Sequence, residues 1–388
     1  MTSPPIVQSP PVRSTPVFWI YAQFALIGIT TVLLAPLLPT LAVHWGMRDL
    51  QSGFFFTAQY GGSTLGSLIS TQALPRWGFT RVCTAAMLLL CFGLEIFVAG
   101  GASLGLAGVF FCGLGMSLAI AASNIGVAQS NPDRAAAALS VLNLAWGIGA
   151  VACPFVIGAG LRVLPLTRLV PLLGMLPLVF VVRFATLDSA RRERAPATPW
   201  KAAPFVLITT LSFLYVGTEN AVGGWIASYA KTFAAMSTGA AAMAPSAFYG
   251  MLLLGRALAP RILRSHSESK VYRLGLLTAI AGAILILTTG RVPLLLVGAG
   301  VVGLGLAALF PIIVAALSRD LRENTERLGG FFFAIGNFGG ATLPFLVGAV
   351  STQAHSLRAG MAVNLVSMAL LLAISAAFSR RLAFANPA

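Results

Sequence analysis

The sequence predicts an all-α membrane protein, with twelve transmembrane helices in two parallel-repeat six-helix bundles. Three observations carry this. The 388-residue chain is 57% hydrophobic and 9% charged, with a mean hydropathy of +0.89, too little charge for a soluble surface of this size. Apolar runs of spanning length recur along its whole course. Residues 147–159 also return, at an offset of 190, as residues 337–349.

Taken in order, residues 1–16 are rich in Pro and Ser and are expected to form a disordered cytoplasmic tail, too polar for a cleaved signal peptide. Apolar runs follow at 17–43, 52–74, 81–100, 103–129, 135–161 and 168–187, then at 203–230, 237–262, 271–290, 292–318, 328–351 and 357–379. Each suits a helix crossing a ~30 Å hydrocarbon core at about 1.5 Å per residue. Pro36, Pro154, Pro311 and Pro344 lie inside them, tolerated where neighbouring helices re-satisfy the freed backbone groups. The expected organisation is an N-terminal bundle at 17–187, a cytoplasmic connector at 188–202, a C-terminal bundle at 203–379 and a tail at 380–388.

The net charge of +15 does not point to nucleic acid, because the basic residues sit in short loops between apolar runs. With the N-terminus cytoplasmic, that side receives 19 of the 25 Lys and Arg residues. The positive-inside rule therefore expects both termini in the cytoplasm of a multi-pass protein, here of a bacterial inner membrane. Cys83, Cys91, Cys112 and Cys153 are widely separated inside the runs, without metal-ligand spacing, and read as packing residues. No nucleophile–base pair, metal cluster or phosphate loop appears, so neither enzyme activity nor a cofactor is expected. In the repeat, GIGAVACPFVIGA against NFGGATLPFLVGA, five positions are identical, including the Pro-Phe pair, so span 5 corresponds to span 11. Weaker echoes, ALPRW at 73–77 and ALAPRI at 257–262, close spans 2 and 8.

Span 7 holds the residue around which the chemistry gathers. Glu219, beside Asn220, lies near the centre of an apolar run, and an ionisable group there is costly enough to mark a functional site. Ser212, Tyr215, Glu219 and Gly223 share one helical face. Glu95, in span 3, sits near the end of its run and reads as interfacial or packing, and the three histidines fall in loops or at span ends.

Two six-helix halves joined by a basic connector resemble the major facilitator superfamily. Within it, LNLAWGIGA at 142–150, FLYVGTENAVGGW at 213–225 and ALFPIIVAALSRDLRENTERLGGFFFAIGNFGGATLP at 308–344 resemble the fucose:proton symporter family and its glucose/mannose branch. Two departures stand out. The stretch Pro75-Arg76-Trp77-Gly78-Phe79-Thr80-Arg81 keeps the basic and glycine positions of the superfamily's loop signature but lacks its acid. Spans 1 and 4 also lack the acids of the fucose transporters, so a fucose-type proton site does not carry over.

The resemblance implies a central cavity lined by spans 1, 4, 7 and 10, flanked by 2, 5, 8 and 11. The candidate substrate-binding residues are then Glu219, Asn220, Tyr215, Asn143, Trp146, Asn337, Asn124, Gln59, Tyr60 and Trp225, with Glu219 also the candidate proton carrier. Arg76, Arg81, Arg256 and Arg261 are expected at a cytoplasmic gate. Amides, a carboxylate and aromatic rings suit a sugar, whose hydroxyls donate and accept while its ring face packs on Trp or Tyr. With no Lys or Arg expected deep in the spans, anionic substrates are disfavoured. The expected function is proton-coupled transport of a hexose by a monomer in the lipid bilayer. The alternatives are a sugar uniporter or sodium-coupled symporter, efflux of a drug-like compound, and a non-transporting receptor or scaffold.

Overall fold

The computed structural model describes residues 17–130, 135–185, 202–233, 235–321 and 325–382, and their regular structure is helical throughout. The predicted N-terminal tail, nearly all of the connector and residues 383–388 lie outside the described residues.

Among the described residues, eleven helical stretches are long and apolar enough to cross a membrane. One of them, α3 (Asp49–Phe97), has 49 residues, which at about 1.5 Å each is more than twice a hydrocarbon core. It is two crossings meeting at Gly78, whose φ of 77° and ψ of 173° interrupt the helix. Counting it twice recovers the twelve crossings of the sequence pattern. A residue with a Cβ would be strained at that φ.

Four other crossings are each built from two helical pieces: α1 (Val17–Val32) with α2 (Leu34–His44), α6 (Leu166–Gly174) with α7 (Leu176–Ala185), α9 (Thr238–Ala241) with α10 (Pro245–Ser265), and α12 (Val292–Leu306) with α13 (Leu309–Leu321). Pro36, Pro177, Pro245 and Pro311 follow these breaks by one helical turn or less. Proline cannot donate to the carbonyl four residues back and its ring crowds it, which explains why each helix stops there. The remaining crossings are α4 (Ala102–Ser130), α5 (Ala135–Val163), α8 (Ala202–Phe233), α11 (Glu268–Thr288), α14 (Thr325–Gln353) and α15 (Leu357–Leu382). The last runs on into the predicted tail.

The seams within each half are backbone-to-backbone and repeat across the two halves. A Cβ on Gly149 of α5 would stand 1.9 Å from the Ala25 carbonyl of α1, and one on Gly339 of α14 would stand 2.0 Å from the Phe213 carbonyl of α8. Gly113 meets the Gln59 carbonyl at 1.8 Å as Gly303 meets that of Phe248 at 2.2 Å, and the mutual approach of Gly93 and Gly108 is matched by Gly282 and Gly298. Small residues let helix backbones close where hydrophobic exclusion cannot drive association. The matched seams, offset like the sequence repeat, make α1–α7 and α8–α15 two copies of one arrangement.

The copies are joined chiefly where α3 meets α14, α5 meets α10 and α2 meets α8. At the face opposite the end of α7 and the start of α8 (the far face), Gly348 closes on the Asp49 carbonyl, Gly158 on Gly239, and the Asp49 carboxylate accepts a hydrogen bond from the Ser351 hydroxyl. The Leu50 amide donates to Thr352 Oγ1 at 2.9 Å, and Lys231 Nζ lies 3.4 Å from the Pro39 carbonyl. The far face is therefore closed.

Candidate functional site

Glu219 sits 1.5 residues, or about 2 Å, from the middle of α8. Its Oε2 accepts a hydrogen bond from Arg256 Nη2 of α10 at 3.0 Å, forming an ion pair. The same Nη2 lies 3.3 Å from the Tyr215 hydroxyl, one turn earlier on α8. The guanidinium is also over the Trp146 ring of α5, 5.5 Å from its centroid, a cation–π geometry. Tyr215 is in turn stacked on Phe310 of α13, 5.5 Å between centroids. Side-chain exposure is 23% for Arg256 and 11% for Glu219, so water retains partial access to the pair.

The first half presents its own polar surface around Thr31. Trp146 Nε1 donates to Thr31 Oγ1 at 3.4 Å, Gln59 Nε2 donates to the Thr31 carbonyl at 3.0 Å, and the Thr31 hydroxyl donates to the Ile27 carbonyl at 2.7 Å. Three helices thus meet at one residue. Across the interface, the Tyr60 hydroxyl donates to Asn220 Oδ1, and Asn220 Nδ2 donates to the Val216 carbonyl at 2.7 Å. Between the halves lies a cavity of about 10 Å³, bordered by Thr31, Gln59, Tyr60, Asn220 and Tyr249, room for roughly one water molecule. A monosaccharide would need the halves to part.

The structure brings together six of the expected residues: Glu219, Asn220, Tyr215, Trp146, Gln59 and Tyr60. It does not bring the other four. Asn143 is exposed and donates to the Leu139 carbonyl of its own helix, and Asn124 does the same to Ile120. Asn337 donates across the α3–α14 interface to Ser67 Oγ at 3.1 Å. Trp225 is 1% exposed, packs on Phe56 and donates to the Pro344 carbonyl at 2.9 Å. Asn337 and Trp225 thus hold helices together, and Asn143 and Asn124 bond within their own helices.

Arg256 requires a correction. It was expected with Arg76, Arg81 and Arg261 at a gate, and it lies instead on Glu219. The reason is the length of α10, which runs past 262 to Ser265 and leaves Arg256 one residue from its midpoint. Arg76, Arg81 and Arg261 are exposed. The same displacement removes the argument against anionic substrates, since a guanidinium does lie among the substrate candidates. The signal was the polar run His266-Ser267-Glu268-Ser269-Lys270, whose Ser267 caps α11; a loop placed there leaves Arg256 inside the span. Tyr249 and Thr31 were also missed, each reading as an ordinary packing residue in an apolar run. Among the described residues, no three His, Cys, Asp or Glu side chains gather in a way that could hold a metal ion.

No protein-family model and no curated protein matches the sequence. Solved structures match it in fold. A bacterial homolog of the human lysosomal transporter Spinster, inward-facing and unoccupied, is 12% identical with a TM-score of 0.78, over 98% of this chain and 100% of that one. A mutant of the nucleoside transporter NupG is 13% identical with a TM-score of 0.75, over 94% and 98%. A variant of the E. coli fucose:proton symporter is 16% identical with a TM-score of 0.64, over 94% and 99%. The chain has the major facilitator fold. At these identities the likeness extends to the fold alone, and the fucose symporter is not favoured over the others.

Proposed function

We propose that this chain is a secondary active transporter of a monosaccharide, working by alternating access and coupled to protons through Glu219. The observation that carries the reading is the Glu219–Arg256 pair, near mid-span, touching Trp146 of the other half. A buried charge pair costs desolvation that packed apolar residues would not, and it stands where a solute between the two halves would meet both of them. Tyr60, Gln59 and Asn220 supply donors and acceptors for hydroxyls, and Trp146 and Tyr215 supply ring faces. In this reading both termini are cytoplasmic, and the closed far face belongs to one of two states. Rocking opens the Gly158 and Gly348 contacts and closes the connector face.

The proton step follows from charge balance. Arg256 cannot give up its proton under any working condition. When Glu219 is neutralised, the guanidinium loses its counter-ion and the α8–α10 contact is released. The test uses proteoliposomes holding a pH-sensitive dye, with sugars added outside. Wild type is expected to move protons inward with its substrate, and Glu219→Gln to exchange substrate across the membrane without moving protons. A Glu219→Gln variant that still moves protons at the wild-type rate removes Glu219 from the coupling role.

A further inference from the structure

We infer that the transported solute carries a carboxylate, and that Arg256 receives it as Glu219 takes up the proton. This deepens the transport reading above and rests on it. The substrate class is then a sugar acid of the hexuronate type, not a neutral hexose.

The guanidinium is under-used. A guanidinium offers five N–H donors in a planar fork, yet both hydrogen bonds of Arg256 leave from Nη2, and its Nε is buried without a partner. Glu219 engages it end-on through a single oxygen. Bidentate fork-to-carboxylate pairing is the stronger arrangement, and it is the one this pair does not use. Trp146 of the first half lies over the cation, and the Arg256 side chain keeps 23% exposure.

Charge bookkeeping then selects the partner. A proton from the aqueous side bonds to the Glu219 carboxylate and leaves the site with one uncompensated positive charge. A neutral hexose cannot replace the lost anion. A monocarboxylate restores neutrality, while a phosphate dianion would overshoot it, since no second Lys or Arg touches the pair among the described residues. The hydroxyls of the sugar acid meet Tyr60, Gln59 and Asn220. Transport is one proton with one monoanion, so no net charge crosses.

The titratable and charged groups facing the pair are Tyr215 on α8, Tyr249 on α10 and Tyr60 on α3, with Cys153 of α5 beside Tyr249. An ordinary phenol keeps its proton to about pH 10 and a thiol to about pH 8.5, so between about pH 5.5 and 7.5 neither exchanges a proton, and Glu219 is left as the group to take up the proton that accompanies the solute. A hexuronate remains ionised throughout that range. Its binding is therefore expected to tighten as pH falls.

The experiment compares D-glucuronate and D-galacturonate with D-glucose and D-galactose, by melting shift of the purified protein and by uptake into proteoliposomes. The uronates are expected to stabilise the protein, more at about pH 5.5 than at 7.5, and the hexoses to leave it unchanged. Arg256→Lys keeps the charge without the fork and is expected to weaken uronate binding about tenfold or more. Glu219→Gln is expected to bind uronate with no pH dependence. Uronate uptake should follow a pH gradient and ignore an imposed membrane potential. The inference is overturned if neutral hexoses bind as well as uronates, if Arg256→Lys and Arg256→Gln bind uronate like wild type, or if uptake responds to potential. Failure of the transport reading looks different: uronate binds with the stated Arg256 dependence and no solute crosses. Hexose uptake by wild type and Arg256→Gln alike would sink the anion site and leave the transport reading standing.

Discussion

Neutralising either member of the Glu219–Arg256 pair should cost far more than neutralising both. Removing one partner of a fully buried pair costs about 3–5 kcal/mol, because the other charge is left desolvated and alone. With side-chain exposures of 11% and 23% the pair sits between the buried limit and the surface limit of about 0–1 kcal/mol. Arg256 also retains Tyr215 and Trp146 when Glu219 is changed. Each single change, Glu219→Gln or Arg256→Gln, is therefore expected to destabilise by about 2 kcal/mol. In the double variant two amides face each other with no net charge, and the loss should be about 1 kcal/mol. The double-mutant cycle then carries a coupling of about 3 kcal/mol, six times the ~0.5 kcal/mol within which independent sites add. Reversible unfolding in mixed micelles measures it, provided each variant shows one transition. If the two single losses sum to the double loss within about 0.5 kcal/mol, the carboxylate and guanidinium do not depend on one another. The charge-balance argument for coupling would then fall with them.

Three further outcomes follow from the packing. Gly339→Ala puts a methyl 2.0 Å from the Phe213 carbonyl and should destabilise by about 1–3 kcal/mol; Gly61→Ala, with nothing within 4 Å of its Cβ, should be neutral or gain up to about 1 kcal/mol, and equal effects at the two sites would refute the seam. Gly78→Ala, at φ 77°, should cost about 1–2 kcal/mol in the same unfolding assay. Gly348→Leu, where a Cβ already lies 2.4 Å from the Asp49 carbonyl, should prop the far face open, read as faster labelling by a membrane-impermeant maleimide of a cysteine placed at Ser351. Unchanged labelling would show that Gly348 does not govern closure.

The crossings were legible because a membrane imposes one length and one polarity on every span, and the repeat was legible because Pro154 and Pro344 kept their neighbours. Glu219, Asn220 and Tyr215 announced themselves for the same reason: polar groups stand out against an apolar run. What escaped was pairing in space. Arg256 was expected at a gate because hydropathy blurs the end of α10, where Pro260, Arg261 and Arg264 are still helical. Asn337 and Trp225 read as substrate contacts because a polar atom looks the same from the sequence whether it faces a cavity or a neighbouring carbonyl. Helix rotation decides between these, and the weak amphipathicity of helices surrounded by apolar surface on both sides gives little hold on it.

The matched seams have a consequence for how the two copies have diverged. A glycine pressed against a backbone oxygen cannot be relieved by changing the partner side chain, so the frame is held while the surface it presents is free to drift. Counted from the seam Gly149–Ala25 and its partner Gly339–Phe213, Glu219 stands where the first copy has Thr31; counted from Gly113–Gln59 and Gly303–Phe248, Arg256 stands where it has Ser67. Both positions are polar in the first copy and charged only in the second. Duplication has left one scaffold with two personalities: a neutral, hydroxyl-bearing jaw tied by hydrogen bonds, and an ionic jaw that, in the function proposed above, registers a proton. Reciprocal transplantation of these residue pairs between the copies would ask whether the charge has to reside in the second jaw or merely in one of the two.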